Sequence, residues 1–146
     1  MKIDSPAFGN QEPIPQKHTC DGEDVSPQLN FSNVPPEAKS LVLIVDDPDA
    51  PMGTFDHWIV WGLKPDKEGL HEGEKVPSQG KNHFNELRYR GPCPPPGPSH
   101  RYFFKLYAIS VDLELPEGAT KQRVEEVMDG HILAKAELIG TYQRGG

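Results

Sequence analysis

The chain has 146 residues and a formal net charge of −7, from 22 Asp and Glu against 15 Lys and Arg. That length suits one domain, spanning 1–146, with its own hydrophobic core. The acidic balance and the lack of any Lys/Arg cluster exclude a general nucleic-acid binder and disfavour anionic lipid surfaces. The 16 prolines and 14 glycines lie between apolar segments and not in one tract, which predicts a turn-rich fold instead of disorder.

The N-terminal stretch MKIDSPAFGNQEPIPQKHTC has no apolar signal-like core, and no apolar run reaches the length of a membrane span, so a cytoplasmic protein without stable membrane insertion is expected. In that setting Cys20 and Cys93, far apart in the chain, are expected to be free thiols. Residues 8–27 read as extended or looped, and SPQLNFSNVP (26–35) as a short strand between prolines. The apolar, β-branched run 41–45, stopped by Asp-Pro, reads as a strand buried on both faces, and DHWIVWGL (56–63) reads the same way. Residues 64–99 read as mostly loop, and a loop that long in one domain points to function. RYFFKLYAIS (101–110) is strand-like and aromatic. Val124, Val127 and Met128 have helical spacing, with Thr120 as N-cap and Gly130 as the stop. HILAKAEL (131–138) reads as a second short helix, followed by a closing strand in IGTYQ. The sum is a mainly β fold of sandwich type with one or two C-terminal helices.

Polar groups collect at strand edges. Asp46, Asp47 and Asp49 follow the first buried strand, and Asp56-His57 opens the next; if the two strands pair, Asp47 or Asp49 comes close to His57. Ser99-His100-Arg101-Tyr102 opens the aromatic strand, directly after five prolines within residues 92–98. TCDGEDVSP (19–27) is a further acidic, turn-rich candidate. A histidine beside a carboxylate has a fixed tautomer and offers its other nitrogen to an anion, while a tyrosine adds an O–H donor. Proline and glycine walls exclude water and let the backbone approach, so this is a recipe for holding a phosphate- or carboxylate-sized group. Each piece also has a plain structural reading: Asp-Pro-Asp is ordinary turn chemistry, and His57 and Tyr102 suit a strand end and a core with a wet tip. His71 and His83 read as surface, and Arg101 points away from Tyr102 in an alternating strand. There is no G-x-S-x-G elbow, no P-loop and no C-x-x-C pair, so neither an enzyme nor a metal or cofactor protein is expected.

Taken together, CDGEDVSPQLNF, LVLIVDDPDAPMGTFDHWIVWGL and GPCPPPGPSHRYFFKLYAI resemble the phosphatidylethanolamine-binding protein, or Raf kinase inhibitor-like, family, and most of all its bacterial and archaeal branch. The resemblance runs from about residue 8 to residue 142. It implies a large antiparallel β-sheet packed on a smaller one with peripheral helices, and an anion pocket at one end of the large sheet. Its motifs fall on Asp47, Asp49, His57, His100 and Tyr102, with Pro51 and the Gly91-Pro92 pair as a rigid rim. It also implies a cis X-Pro bond within 49–51 or 91–96, and a homodimer. The segment between D-P-D-A-P and the strand histidine, 52–56, is shorter than in eukaryotic relatives, and the given sequence closes with GTYQRGG. The leading expectation is a small-anion or phospho-group binder that regulates a protein partner such as a kinase. A serine protease inhibitor using an exposed loop within 64–99 is the alternative, and a weak ester hydrolase is a further one.

Overall fold

In the computed structural model, which describes residues 1–145, the apolar run 41–45 forms the centre of a long strand, β4 (Ser40–Asp47), buried at every position. It has partners on both sides: β5 (Phe55–Leu63) and β8 (His100–Ile109), both antiparallel. Burial on both faces explains why β4 and β5 are nearly continuous hydrophobic runs. The remaining strands are β1 (Lys2–Asp4), β2 (Glu12–Pro13), β3 (Leu29–Ser32), β6 (Gly69–Leu70), β7 (Ser78–Gln79) and β9 (Ile132–Tyr142). The large sheet has the order β2-β9-β8-β4-β5-β7 and is antiparallel except for the short β2–β9 pair. A three-stranded sheet, β1-β3-β6, packs on one face.

Two apolar layers result. Leu41, Leu43, Val45, Trp58, Val60, Phe104 and Leu106 meet Ile3, Leu29 and Phe31 between the sheets. On the other face Val42, Ile44, Ile59 and Trp61 are covered by α1 (Lys121–Met128) through Val124 and Met128. The Thr120 hydroxyl accepts from the Arg123 amide at 3.2 Å and caps this helix, as its spacing predicts. The strands anticipated around 26–35, 41–45, 56–63 and 101–110 are all present.

Three expectations are corrected. Residues 131–138 are not a second helix; from Ile132 on they are the first part of β9, which pairs with ten residues of β8. Ala, Lys, Glu and Leu favour helices, yet Ala134, Ala136 and Leu138 alternate with Lys135 and Glu137, and the edge of β8 lets that alternation decide. Cys20 and Cys93 are not free thiols; they form a disulfide across 73 residues, with Cα atoms 5.4 Å apart. The two loops are neighbours because Asp24 accepts from the Gly91 amide and Pro92 accepts from the Cys20 amide. No cis peptide bond occurs among the described residues; the turn after Asp49 is made instead at Gly53, with φ +107° and its amide on the Ala50 carbonyl.

Candidate functional site

Of two irregularities in the β4–β5 ladder, the one at the Asp46 end creates the site. Val45 pairs with Trp58, but the next residue, Asp46, pairs with Asp56. One step on β4 therefore matches two on β5, and His57 is the extra residue of a bulge. A bulge bends its strand and re-aims side chains. Here it puts His57 on the same side as Asp47, while Asp46 and Asp56 face α1. On β8, His100 and Tyr102 share the alternation of the core residues Phe104 and Leu106 and so emerge on the His57 side, at the end of the sheet.

These groups line one cavity of about 310 Å³, together with Ala50, Pro51, Met52, Gly53, Phe55, Phe84, Cys93, Pro94 and Pro95. Both histidines are buried and both commit Nδ1 to the protein. His57 Nδ1 donates to the Arg90 carbonyl at 2.7 Å, and His100 Nδ1 donates to Asp47 Oδ2 at 2.7 Å. In each ring Nε2 is the nitrogen left over, and none of the hydrogen bonds among the described residues uses it. The other oxygen of Asp47 accepts from the Asp49 amide at 2.7 Å, so its charge is turned back into the fold. Burial holds His57 below the usual histidine range, against the Arg90 carbonyl bond and the charges of Asp47, Asp24 and Asp56 that pull upward. Burial, then the charge and hydrogen bond of Asp47, push Tyr102 far above the usual phenol range, so it remains a neutral O–H group.

The aromatic wall was not anticipated. The rings of Phe55 and Phe84 lie 5.1 and 5.8 Å from the His57 ring, and Tyr102 lies 5.3 Å from it, edge to face. Phe84 arrives on the 82–90 loop, which Asn82 organises: its side chain donates to the Arg88 carbonyl and accepts from the Phe84 and Glu86 amides. Loop composition alone gives no signal that such a phenylalanine faces inward.

Other anticipated residues fall elsewhere. Asp49 is paired to His57 neither directly nor through the cavity. It makes a two-pronged bond with Arg101, at 2.9 Å to each oxygen, and that bond holds its carboxyl below the usual range. Asp47 approaches the cavity as expected but bonds His100 and not His57. Pro51 lines the cavity, whereas Gly91 and Pro92 lie behind it and the wall is Cys93, Pro94 and Pro95. The Gly91 amide donates to Asp24, which also holds Arg90, so the acidic loop 19–27 supports the rim from outside. Among the described residues no group of three or more His, Cys, Asp or Glu side chains could hold a metal ion, and no helix is long and apolar enough to cross a membrane.

Comparisons with known proteins converge. The family model for phosphatidylethanolamine-binding proteins matches residues 4–143. A UPF0098 protein of Methanothermobacter thermautotrophicus is 49% identical over 152 residues, covering 99% of this chain and all of the relative. A UPF0098 protein of Chlamydia trachomatis is 49% identical over 150 residues, covering 99% of each. Among solved structures, a phosphatidylethanolamine-binding protein homolog from Chlamydia trachomatis superposes with a TM-score of 0.94 at 49% identity, covering 98% of this chain and 97% of the other. Escherichia coli YbcL, described as a new member of the mammalian family, superposes with a TM-score of 0.91 at 28% identity, covering 98% of both chains.

Proposed function

The chain belongs to the phosphatidylethanolamine-binding protein family, and from that premise we propose that it binds a small phosphorylated ligand in the His57–His100–Tyr102 cavity and thereby regulates a protein partner such as a kinase. The observation that carries the reading is the shared commitment of both Nδ1 atoms to protein acceptors. It leaves two Nε2 atoms at one largely apolar cavity, which Tyr102 and Asp47 also line. Phe55, Phe84, Pro94 and Pro95 keep water away from a bound group, which strengthens each polar contact inside.

The protons can be followed at each atom. With Nδ1–H given away, a neutral histidine presents Nε2 as an acceptor, and a protonated one presents it as a donor. A phosphomonoester loses its second proton near neutral pH. A monoanion can therefore donate its own P–OH to a neutral Nε2, and a dianion accepts from a protonated one. Tyr102 adds its hydroxyl. Because burial disfavours protonated His57, binding of a dianion takes up a proton, and affinity rises as pH falls from about 8 to about 6.

The test is titration of inorganic phosphate and phosphoethanolamine into labelled protein, followed by NMR. Saturable shifts at His57, His100 and the 93–95 wall are expected. His57→Ala is expected to abolish them with the fold intact, and Tyr102→Phe to weaken binding about fivefold, as for one lost hydrogen bond of about 1 kcal/mol. No shift at millimolar ligand overturns the reading.

A further inference from the structure

Five of the seven residues from 92 to 98 are proline, and proline has no backbone N–H. This rim cannot be fastened by a ladder of backbone donors, although Pro94 and Pro95 form the cavity wall. Among the described residues its hydrogen-bonded ties are few. Pro92 accepts from the Cys20 amide at 3.1 Å, Gly97 accepts from Gln143 Nε2 at 2.7 Å on the exposed side, and the Arg144 guanidinium approaches Cys93 Sγ at 3.9 Å. The Cys20–Cys93 disulfide is the covalent tie.

Its other end is well anchored. Thr19 Oγ1 donates to the Gln16 carbonyl at 2.8 Å, Tyr89 donates to the His18 carbonyl at 2.8 Å, and Asp21 accepts from Tyr142 at 2.6 Å and Arg144 at 3.0 Å. The disulfide thus joins a loop rich in hydrogen bonds to a rim poor in them. Both cysteines are only half-buried, and Cys93 itself lines the cavity, so the bond lies near the surface and not in the core.

We propose that the Cys20–Cys93 disulfide is a redox latch on the anion cavity: a dithiol reductant that opens it frees the 92–98 rim and weakens ligand binding. The proposal rests on the binding reading above. A dithiol thiolate attacks Cys93 Sγ, the Sγ–Sγ bond breaks, and Cys20 leaves as a thiolate. The reductant's second thiol then closes on the mixed disulfide and releases Cys93. Two electrons pass from the dithiol, which becomes a disulfide, and its two protons end on Cys20 and Cys93.

The coupling is reciprocal. If phosphate binds the oxidised form more tightly by some factor, bound phosphate makes the disulfide harder to reduce by that same factor. If freeing the rim leaves about one molecule in ten with the wall in place, the apparent Kd rises about tenfold. A tenfold shift in the two-electron equilibrium is about 30 mV.

The experiment measures inorganic phosphate affinity by NMR on oxidised protein, on dithiothreitol-reduced protein and on Cys20→Ser/Cys93→Ser. A parallel dithiothreitol redox titration is run with and without saturating phosphate. Near-UV circular dichroism, which reads the packing of Trp58 and Trp61, reports whether the reduced forms remain folded. Expected are folded reduced forms that bind about tenfold more weakly, and a disulfide about 30 mV harder to reduce with phosphate present. Equal affinity in the oxidised and reduced forms overturns the latch and leaves the cavity reading standing. Reduced protein that has lost its tertiary packing also overturns it, since the bond then holds the whole fold and not the rim. Oxidised protein that binds no phosphate overturns the cavity reading and the latch together.

Discussion

Asp46 and Asp56 sit directly opposite each other on β4 and β5, both buried, with Lys121 Nζ 3.4 Å from Asp46 Oδ2 and 2.7 Å from Asp56 Oδ1. Like charges opposed across a ladder repel. The bulge at His57 makes this pairing, because it turns Asp56 to the α1 side, where Asp46 already points in the alternation of Val42 and Ile44, as it turns His57 to the cavity. Lys105 Nζ, 3.0 Å from Asp46, adds a second cation. Burial alone would depress Lys121, but the hydrogen bond to Asp56 and the charges of Asp56 and Asp46 outweigh it and hold Lys121 above the usual lysine range. The first residue of α1 is therefore the counter-charge for the back of the site.

Removing that counter-charge leaves two buried carboxylates with one lysine. Lys121→Met is expected to cost about 3 kcal/mol, the scale for breaking a buried pair from one side. Asp56→Asn combined with Lys121→Met is expected to recover much of the loss, because the uncompensated charge is gone. Urea denaturation of the single and double variants measures both. A loss under about 1 kcal/mol for Lys121→Met would show that water, not Lys121, balances the pair.

The sequence showed the strands because their apolar runs are long and bounded by Asp-Pro and Gly. Motif order singles out Asp47, His57, His100 and Tyr102, which the fold brings to one cavity. It could not show their partners. Strand pairing predicts that Asp47 or Asp49 meets His57; the bulge does bring His57 to the Asp47 side, but Asp47 is taken by His100 from β8 and His57 bonds a carbonyl from a distant loop. Phe84 escaped notice for a similar reason: its direction is set by Asn82, whose bonds are non-periodic. The strand at 132–138 was hidden by residues that favour a helix, and only the free edge of β8 reveals the alternation beneath. Compartment predicts free thiols for Cys20 and Cys93, whereas the proximity of two loops decides their state.

His57 gives a pH dependence of known sign. Its folded-state pKa lies below the unfolded value because burial disfavours the charged ring. The unfolded chain therefore binds more protons between the two values, and stability rises with pH there. The contribution is fully present above the unfolded value of about 6.5 and is lost as pH falls through the folded one. His57→Asn keeps an N–H for the Arg90 carbonyl but does not titrate. Wild-type stability is expected to fall relative to His57→Asn as pH drops from 7 toward 5, read by urea denaturation at each pH. Parallel curves would place the perturbation elsewhere. Saturating phosphate should shrink the difference, since a bound dianion favours the proton that burial opposes.

Gly91 matches the rim motif, yet its structural duty is to let two loops touch. A Cβ built there would collide with the His18 carbonyl oxygen and come within 2.8 Å of Asp24 Oδ1. Neither neighbour yields easily. The His18 carbonyl is backbone and already accepts from Tyr89, while Asp24 is fixed by Arg90 and by the Gly91 amide itself. Gly91→Ala must therefore push the 90–92 segment outward. That movement breaks the Asp24 bond and displaces the Arg90 carbonyl that fixes His57. A stability loss of about 1–3 kcal/mol is expected, on the scale of overpacking a tight site, measured by thermal unfolding. NMR should show the His57 ring signals shifted, while those of His100, held by Asp47 from β4, change less. Equal disturbance of both rings would mean that Gly91 supports the whole end of the sheet and not the Arg90–His57 contact.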